Sequence, residues 1–417
     1  MRDVDVQIIG AGLAGLACGR RLAQCGVTFQ ILEASDAVGG RVRTDIVEGF
    51  RLDRGLQSYQ TAYPEGLRVL DLDALDFQRF SRQLMIWHKG RFHRLASPLD
   101  SISGAVRTIL RPIGTTRDTL RLLRWKWWCD RMGTETACAN AVGQDVTVLE
   151  ELRSVGRFSP QMIERFFRPL CASVLLDPSL ASSARLFRNY FRTFSNGYAA
   201  IPATGMQAIP DQLANGLPQG SVRLNTRVIR VSPGEVTLAN SELLTARAVV
   251  VATEAPTAVR LLGTSVADPG SCGVTTFYYA GTRSPIGKPM LMLNGDRQGP
   301  ITFAAVLSDV APSYAPPGQS LIAVSVVGAT PPLESDVRSQ LAEWFGSSVS
   351  SWRMLRSYHF EHALPEQKVA HLTPWSRPVR VEPGLYVCGD HRDRGSIDGA
   401  LASGFRAAQA CAEGLAK

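Results

Sequence analysis

Gly10, Gly12 and Gly15 stand in the spacing GxGxxG directly after the apolar run Val6–Ile9. Without Cβ atoms this stretch of backbone can turn tightly and come against a pyrophosphate, which the amides opening the next helix, at Leu13 and Ala14, would face. Glu33 follows Gly15 by 18 residues and closes a second apolar run. A carboxylate at that place accepts hydrogen bonds from a ribose. Ala34 comes next, and Gly39, Gly40 and Arg41 then supply a second glycine turn with a cation able to sit over the same pyrophosphate.

These residues need a strand, a turn, a helix and a second strand to hold them. The chain offers each in order: a strand Val6–Ile9, a helix Leu13–Gln24 that stops at Gly26, and a strand over 28–32. A bare glycine triplet occurs in ordinary turns; the ordered set is a dinucleotide-binding fingerprint. The fingerprint alone does not separate NAD from FAD.

The next residues make that separation. The stretch EASDAVGGRVRT, from Glu33 to Thr44, resembles the extended FAD signature of the flavin amine oxidase superfamily, which includes monoamine oxidases, protoporphyrinogen oxidases and phytoene desaturases. Near the other end, GLYVCGDHRDRGSIDGALASGFRAA, from Gly384 to Ala408, is similar to that superfamily's C-terminal flavin motif. There Gly389 and Asp390 follow a buried strand over 385–388, and Asp390 would accept hydrogen bonds from the ribityl chain or neighbouring amides. A helix starting near Ser396 or Ile397 and running on through Gly399 and Ala400 would turn its positive end to flavin N1 and the C2 carbonyl. The middle segment IPATGMQAIPDQLANGLPQGSVRLNTRVIRVS resembles the superfamily's central FAD segment, which implies that the Val228 backbone lies beside the adenine. Thr204 departs from that pattern, where a second glycine is usual. FRLDRGLQSYQ is similar to the DxG turn and implies that Gly55, Leu56 and Gln57 adjoin the isoalloxazine. A buried strand over 249–252 brings Ala252 back across the cofactor.

The resemblance implies an α/β, two-domain flavoprotein. A discontinuous Rossmann-type FAD domain would take residues 1–75, 195–265 and 355–417, and an inserted α+β substrate domain residues 76–194 and 266–354. Periodic apolar residues between glycine and proline breaks predict a mostly helical cap over 63–194. Alternating stretches at 274–280, 301–307 and 321–327 predict antiparallel strands that floor a pocket. The expected activity is that of an FAD-dependent oxidoreductase which dehydrogenates a hydrophobic small molecule, an isoprenoid, a porphyrinogen or an amine-like compound, by hydride transfer to flavin N5. A redox-neutral flavin-dependent isomerase and an amine oxidase in the narrow sense are the alternatives. Ser396 stands where monoamine oxidases carry an aromatic cage residue, which turns the expectation towards an apolar or polycyclic substrate. FAD is expected to be non-covalent, because no Cys or His sits where the resemblance makes a tether evident.

Catalytic side chains are not assigned, since no Ser-His-Asp set has a supporting context. Lys288, between Gly287 and Pro289, reads as an exposed turn more readily than as a lysine near N5. Tyr59, Tyr198 and Trp375 are candidates for a pocket wall, and Arg392 or Arg394 for a cation near the reduced flavin or for a surface salt bridge.

Composition bounds the remaining classes. The 417 residues are 45% hydrophobic, ample for folded cores, with no run of about 18 apolar residues. The eight cysteines, at 18, 25, 129, 138, 171, 272, 388 and 411, form no CxxC pair and read as reduced. His359 and His362 lack companion ligands, so no metal is expected. The first strand begins within a few residues of the N-terminus, so a cytoplasmic protein is expected, with peripheral membrane contact as an addition. Of the net charge of +8, residues 79–131 carry twelve Lys or Arg against three Asp, together with four tryptophans. That segment supports three readings: a solvated helix face, a surface drawn to anionic membrane, or contact with an anionic substrate. Nucleic acid is not expected as a partner, as no recognition motif accompanies the charge.

Overall fold

The computed structural model describes residues 4–95, 113–131, 145–372 and 374–416. Two sheets organise them. In the first, the strands run in the order Val222–Arg223, Phe29–Leu32, Val6–Ile9, Ala248–Val251, Leu385–Val387 and Arg380–Glu382. The first five are parallel and the last is antiparallel. The sequences VQII and AVVV are buried at every position because both faces of the parallel sheet are covered, one by helices Leu13–Gln24 and Ile397–Leu415 and the other by strands Val228–Ser232 and Glu235–Leu238 with helix Ala255–Leu262.

Register decides where this sheet can hold a ligand. Ile9 lies opposite both Leu32 and Val251, and Val251 lies opposite Val387. The residues that follow, Gly10, Glu33, Ala252 and Cys388 with Gly389, therefore leave the sheet at one level. In open α/β sheets the ligand crevice forms at these carboxyl ends. Helices Leu13–Gln24 and Ile397–Leu415 both begin there.

The second sheet has seven strands in the order Arg353–Pro365, Ser271–Gly281, Ser320–Val327, Phe303–Val306, Leu291–Asn294, Leu84–His88 and Arg91–Leu95. All neighbours are antiparallel except Leu291–Asn294 against Leu84–His88. The strands expected at 274–280, 301–307 and 321–327 are among them. Residues 84–95, expected within a helical cap, instead form a hairpin. Lys89 and Gly90 turn it with φ of 52° and 72°, the two positive values of a tight turn whose twist matches its strands. Residues 353–365 form the outer strand of this sheet, whereas 355–417 was expected to lie wholly with the cofactor unit.

Helices Thr116–Arg131, Val148–Ser154 and Ala184–Asn196, with the turn Ile163–Phe167, cover one side of this sheet. Trp125 is their hub, with ring centroids 4.7 to 6.2 Å from Phe191, Phe187, Phe167 and Phe158. Parts of the expected helical cap and basic segment, residues 96–112 and 132–144, lie outside the described residues, as does Cys138; the other seven cysteines are free thiols. Among the described residues no helix is long and apolar enough to cross a membrane, and no three His, Cys, Asp or Glu side chains converge on a metal-sized point.

Candidate functional site

One cavity of ≈ 710 Å³ runs from the carboxyl ends of the parallel strands to the helices over the second sheet. Eighteen of the twenty cofactor positions expected from the sequence line it: Gly10, Gly12, Leu13, Ala14, Glu33, Ala34, Gly40, Arg41, Gly55, Leu56, Gln57, Val228, Ala252, Gly389, Asp390, Ser396, Ile397 and Ala400. Gly15 and Gly399 do not. A Cβ on Gly15 would stand 2.0 Å from the Gly10 carbonyl oxygen, and one on Gly399 would stand 2.1 Å from that of Arg394. Both glycines serve the packing of backbone on backbone beneath the cavity wall.

Gly12 is different. Its backbone is extended, with φ of −72° and ψ of 177°, and a Cβ there would meet nothing within 4 Å. The missing side chain leaves a cradle open to the cavity. Helix Leu13–Gln24 starts at that cradle without a side-chain cap, so its first amides are available to an anion. The second glycine turn closes over it, as Gly39 N–H donates to the Ala11 carbonyl at 2.9 Å. An open cradle and uncapped amides are what a pyrophosphate requires, and the residues present therefore fit FAD.

The chain's own groups hold Glu33 in place. One carboxylate oxygen accepts from Ala11 N–H at 2.7 Å, and the other from Ser35 N–H and Oγ at 2.9 and 2.7 Å. Thr226, Arg227 and Val228 face it across the same end of the cavity, joined by Thr226 N–H to the Glu33 carbonyl at 2.7 Å. Sequence reasoning missed Thr226 and Arg227, although they adjoin the Val228 it named.

Further along, the Arg41 guanidinium pairs with the Asp390 carboxylate at 2.8 Å and donates to the Ala363 carbonyl at 2.7 Å. Burial works against the charge of Arg41, but Asp390 outweighs it and holds the guanidinium above its ordinary pKa. Gln57 Nε2 donates to the Arg41 and Arg54 carbonyls at 2.8 and 3.1 Å, tying the Gly55–Gln57 turn to the second glycine turn. Ser396 caps helix Ile397–Leu415, its Oγ accepting from Gly399 N–H at 3.0 Å.

Beneath the Gly55 turn lies a buried hub. The Asp53 side chain accepts from Thr44 Oγ1 at 2.6 Å, Met206 N–H at 2.9 Å and the Tyr314 hydroxyl at 2.8 Å, and its carbonyl accepts from the Tyr278 hydroxyl at 2.7 Å. Burial is the larger influence and raises its pKa to about 6 against these donors. Asp53 thereby joins the hairpin under the turn to the central segment and the second sheet. The sequence offered only its place in the DxG turn.

Several weaker expectations are corrected. Tyr59, Tyr198 and Trp375 do not line the cavity: Tyr59 is core, stacked on Phe77 at 4.8 Å, while Tyr198 lies under Arg79 and Arg82 and Trp375 under Arg185. Tyr190 takes the wall position instead, donating to the Gly395 carbonyl at 2.7 Å. Arg394 is buried against Asp398 at 2.9 Å and Asp393 at 3.2 Å, and Arg392 donates to the Pro378 carbonyl. Neither faces the cavity or the surface, because each serves the loop before the last helix. His391 is pushed down to about 4, first by burial and then by Arg392, Arg41 and Arg377, so it is neutral at pH 7. Lys288, by contrast, is exposed in its turn as expected, and does not line the main cavity.

The far part of the cavity has another chemistry. Leu84, Leu122, Phe166, Leu170, Phe187, Phe191, Leu291 and Phe303 form aliphatic and aromatic walls there, with Lys126 and Arg82 among the few charged neighbours. Such a lining takes apolar ligands and fixes them with few polar contacts.

Comparison with known proteins adds the family. A putrescine oxidase from Kocuria rosea is 40% identical over 77 residues, 18% of this chain and 16% of its own. A coproporphyrinogen III oxidase from Mycobacterium tuberculosis is 25% identical over 224 residues, 51% of this chain and 45% of its own. The chain thus matches half or less of the length of these relatives. The crystal structure of a putative protoporphyrinogen oxidase from Exiguobacterium sp. 255-15 superposes over 100% of both chains with a TM-score of 0.75 at 17% identity, which establishes a common fold. Residues 13–412 match the profile described as flavin containing amine oxidoreductase. With that profile spanning the second glycine turn, the central segment and most of the final helix, the chain belongs to the flavin containing amine oxidoreductase family.

Proposed function

We propose that the protein is an FAD-dependent oxidoreductase that dehydrogenates a hydrophobic small molecule, with the FAD held non-covalently. The observation that supports it is the continuity of one cavity, from the Gly12 cradle and Glu33 to a chamber walled by Leu84, Phe166, Leu170, Phe187, Phe191 and Phe303. Bound FAD would supply a two-electron acceptor at N5 for hydride, or its equivalent, from a substrate carbon. The chain's own part is to bind, orient and dry that region. The Leu13 and Ala14 amides would hold the pyrophosphate, Glu33 the ribose, and the Val228 backbone the adenine. The start of helix Ile397–Leu415 and the turn pinned by Gln57 would flank the isoalloxazine.

The apolar walls exclude water and align the substrate, which is what hydride transfer asks of a protein more than a nucleophile. Ser396 is engaged as a helix cap at the position of the aromatic cage, and the chamber favours an isoprenoid or a porphyrinogen over a small amine. Purified protein should carry flavin absorbance near one per chain, all of it released by acid precipitation. Anaerobic addition of substrate should bleach it stoichiometrically. Turnover without bleaching would mark a redox-neutral isomerase, colour retained in the acid pellet a covalent flavin, and a colourless protein that binds no FAD would end the proposal.

A further inference from the structure

Helix Thr116–Arg131 turns an unusual face to solvent. Its inner side is conventional, with Leu122, Trp125 and Cys129 buried. At about 100° per residue, the opposite sector holds Leu120, Leu123 and Trp127 together with Arg117, Arg124 and Arg131. The three apolar residues are 68%, 36% and 56% exposed. A helix that meets only water carries polar residues there. The sector holds no acid: Asp118 points inward at 1% exposure, and Asp130 at its border is paired with Lys126 at 2.5 Å. The Arg131 guanidinium lies 4.1 Å over the Trp127 ring, and among the described residues no carboxylate pairs with Arg117, Arg124 or Arg131.

The same helix also walls the cavity through Leu122, Leu123 and Lys126. Leu123 belongs to both surfaces, so the exposed apolar stripe adjoins the lining of the chamber.

We propose that this face docks on an anionic lipid bilayer, with the three arginines among the headgroups and Leu120, Leu123 and Trp127 at the acyl boundary. An exposed tryptophan between arginines suits that boundary, where an apolar body and a charged head are both satisfied. A second copy of the chain is a poor occupant, since a two-fold contact would set this cationic face against itself. Docking there would open the chamber towards the lipid, so that an apolar substrate reaches it without crossing water. That consequence rests on the proposed substrate class; the docking itself does not.

Flotation of the flavin-loaded protein with vesicles tests it. Vesicles of phosphatidylglycerol mixed with phosphatidylcholine should carry the protein up, and vesicles of phosphatidylcholine alone should not. Removing arginines in the series Arg117→Ala, Arg124→Ala and Arg131→Ala should weaken binding roughly fivefold at each step, with flavin content unchanged as the control on folding. Brominated lipids should quench tryptophan emission in the wild type and far less in Trp127→Phe. Equal flotation with both vesicles, flotation with neither, or a concentration-dependent dimer abolished by Leu120→Glu would each overturn docking. A wild type without flavin that still floats would overturn the proposed function and leave docking intact.

Discussion

Gly12 and Gly15 sit three residues apart in one motif, yet the structure gives them opposite sensitivities. At Gly12 an alanine Cβ enters open space, and the backbone is one that any residue adopts. Two small effects then oppose each other in the flavin-free protein. Alanine removes unfolded-state entropy, which stabilises by about 0.4–1 kcal/mol, and it is a poorer N-cap than glycine by roughly a similar amount. The net change should lie within about 1 kcal/mol of zero. At Gly15 the same Cβ stands 2.0 Å from the Gly10 carbonyl oxygen and 3.3 Å from the Ala252 Cβ. The first of these is about 1.5 Å inside an ordinary contact, and a carbonyl fixed at the end of a central strand has little room to move. Overpacking of that kind costs about 3 kcal/mol or more. Urea unfolding of the deflavinated variants measures both numbers, and fluorescence titration with FAD measures the cradle. Gly12→Ala should fold like the wild type while losing at least about tenfold in FAD affinity, roughly 1.4 kcal/mol; Gly15→Ala should fail to fold stably. A Gly12→Ala protein that unfolds as readily as Gly15→Ala, or one that binds FAD as the wild type does, would refute the assignment of the cradle.

Further outcomes follow from the same geometry. Glu33→Ala removes the acceptor expected to meet the ribose and orphans the Ala11 amide, so FAD affinity should drop by about tenfold to a hundredfold, as for a charged hydrogen bond worth roughly 1.5–3 kcal/mol; equilibrium dialysis reads it. Trp125→Ala deletes the ring at the centre of the helical cluster and should cost about 3–5 kcal/mol, seen as a lower urea midpoint. Asp53 takes up its proton in the folded protein at about 6 instead of the ordinary 3.8, so between those values the native state binds more protons than the unfolded one. Its contribution therefore favours folding at pH 4, fades as pH rises through 6, and then stays level. Asp53→Asn, which keeps an acceptor for Thr44 and Met206 and never ionises, should gain on the wild type by up to about 3 kcal/mol between pH 4 and pH 7. Parallel pH profiles of the two proteins would sink that account.

The legible part of this molecule is the part where backbone meets ligand or backbone. GxGxxG, the acid at Glu33 and the turn at Gly40 and Arg41 leave fixed spacings because a phosphate close to the main chain tolerates few alternatives. The register of the parallel sheet then brings Gly10, Glu33, Ala252 and Gly389 to one level, though they are spread across nearly the whole chain. The chamber left no such trace. Its wall needs apolar volume from many helices and strands, and Phe166, Leu170 or Phe187 meet that need as any residue of similar size would. Tyr59 and Trp375 looked equally suitable as wall residues, and three-dimensional packing sent them elsewhere while bringing in Tyr190. The hairpin at 84–95 was hidden for a different reason: its alternation is real, but it lies within the basic segment 79–131, whose later helical periodicity dominates, and only the Lys89-Gly90 turn marks it. Arg41 and Asp390 illustrate the limit most sharply, since each was legible alone and their pairing was not. A cation expected over a phosphate and a carboxylate expected at a ribityl chain meet each other at the cavity wall. The pair keeps both charges neutralised at the cavity wall, and any ligand that draws Arg41 towards a phosphate must offer Asp390 a donor in exchange.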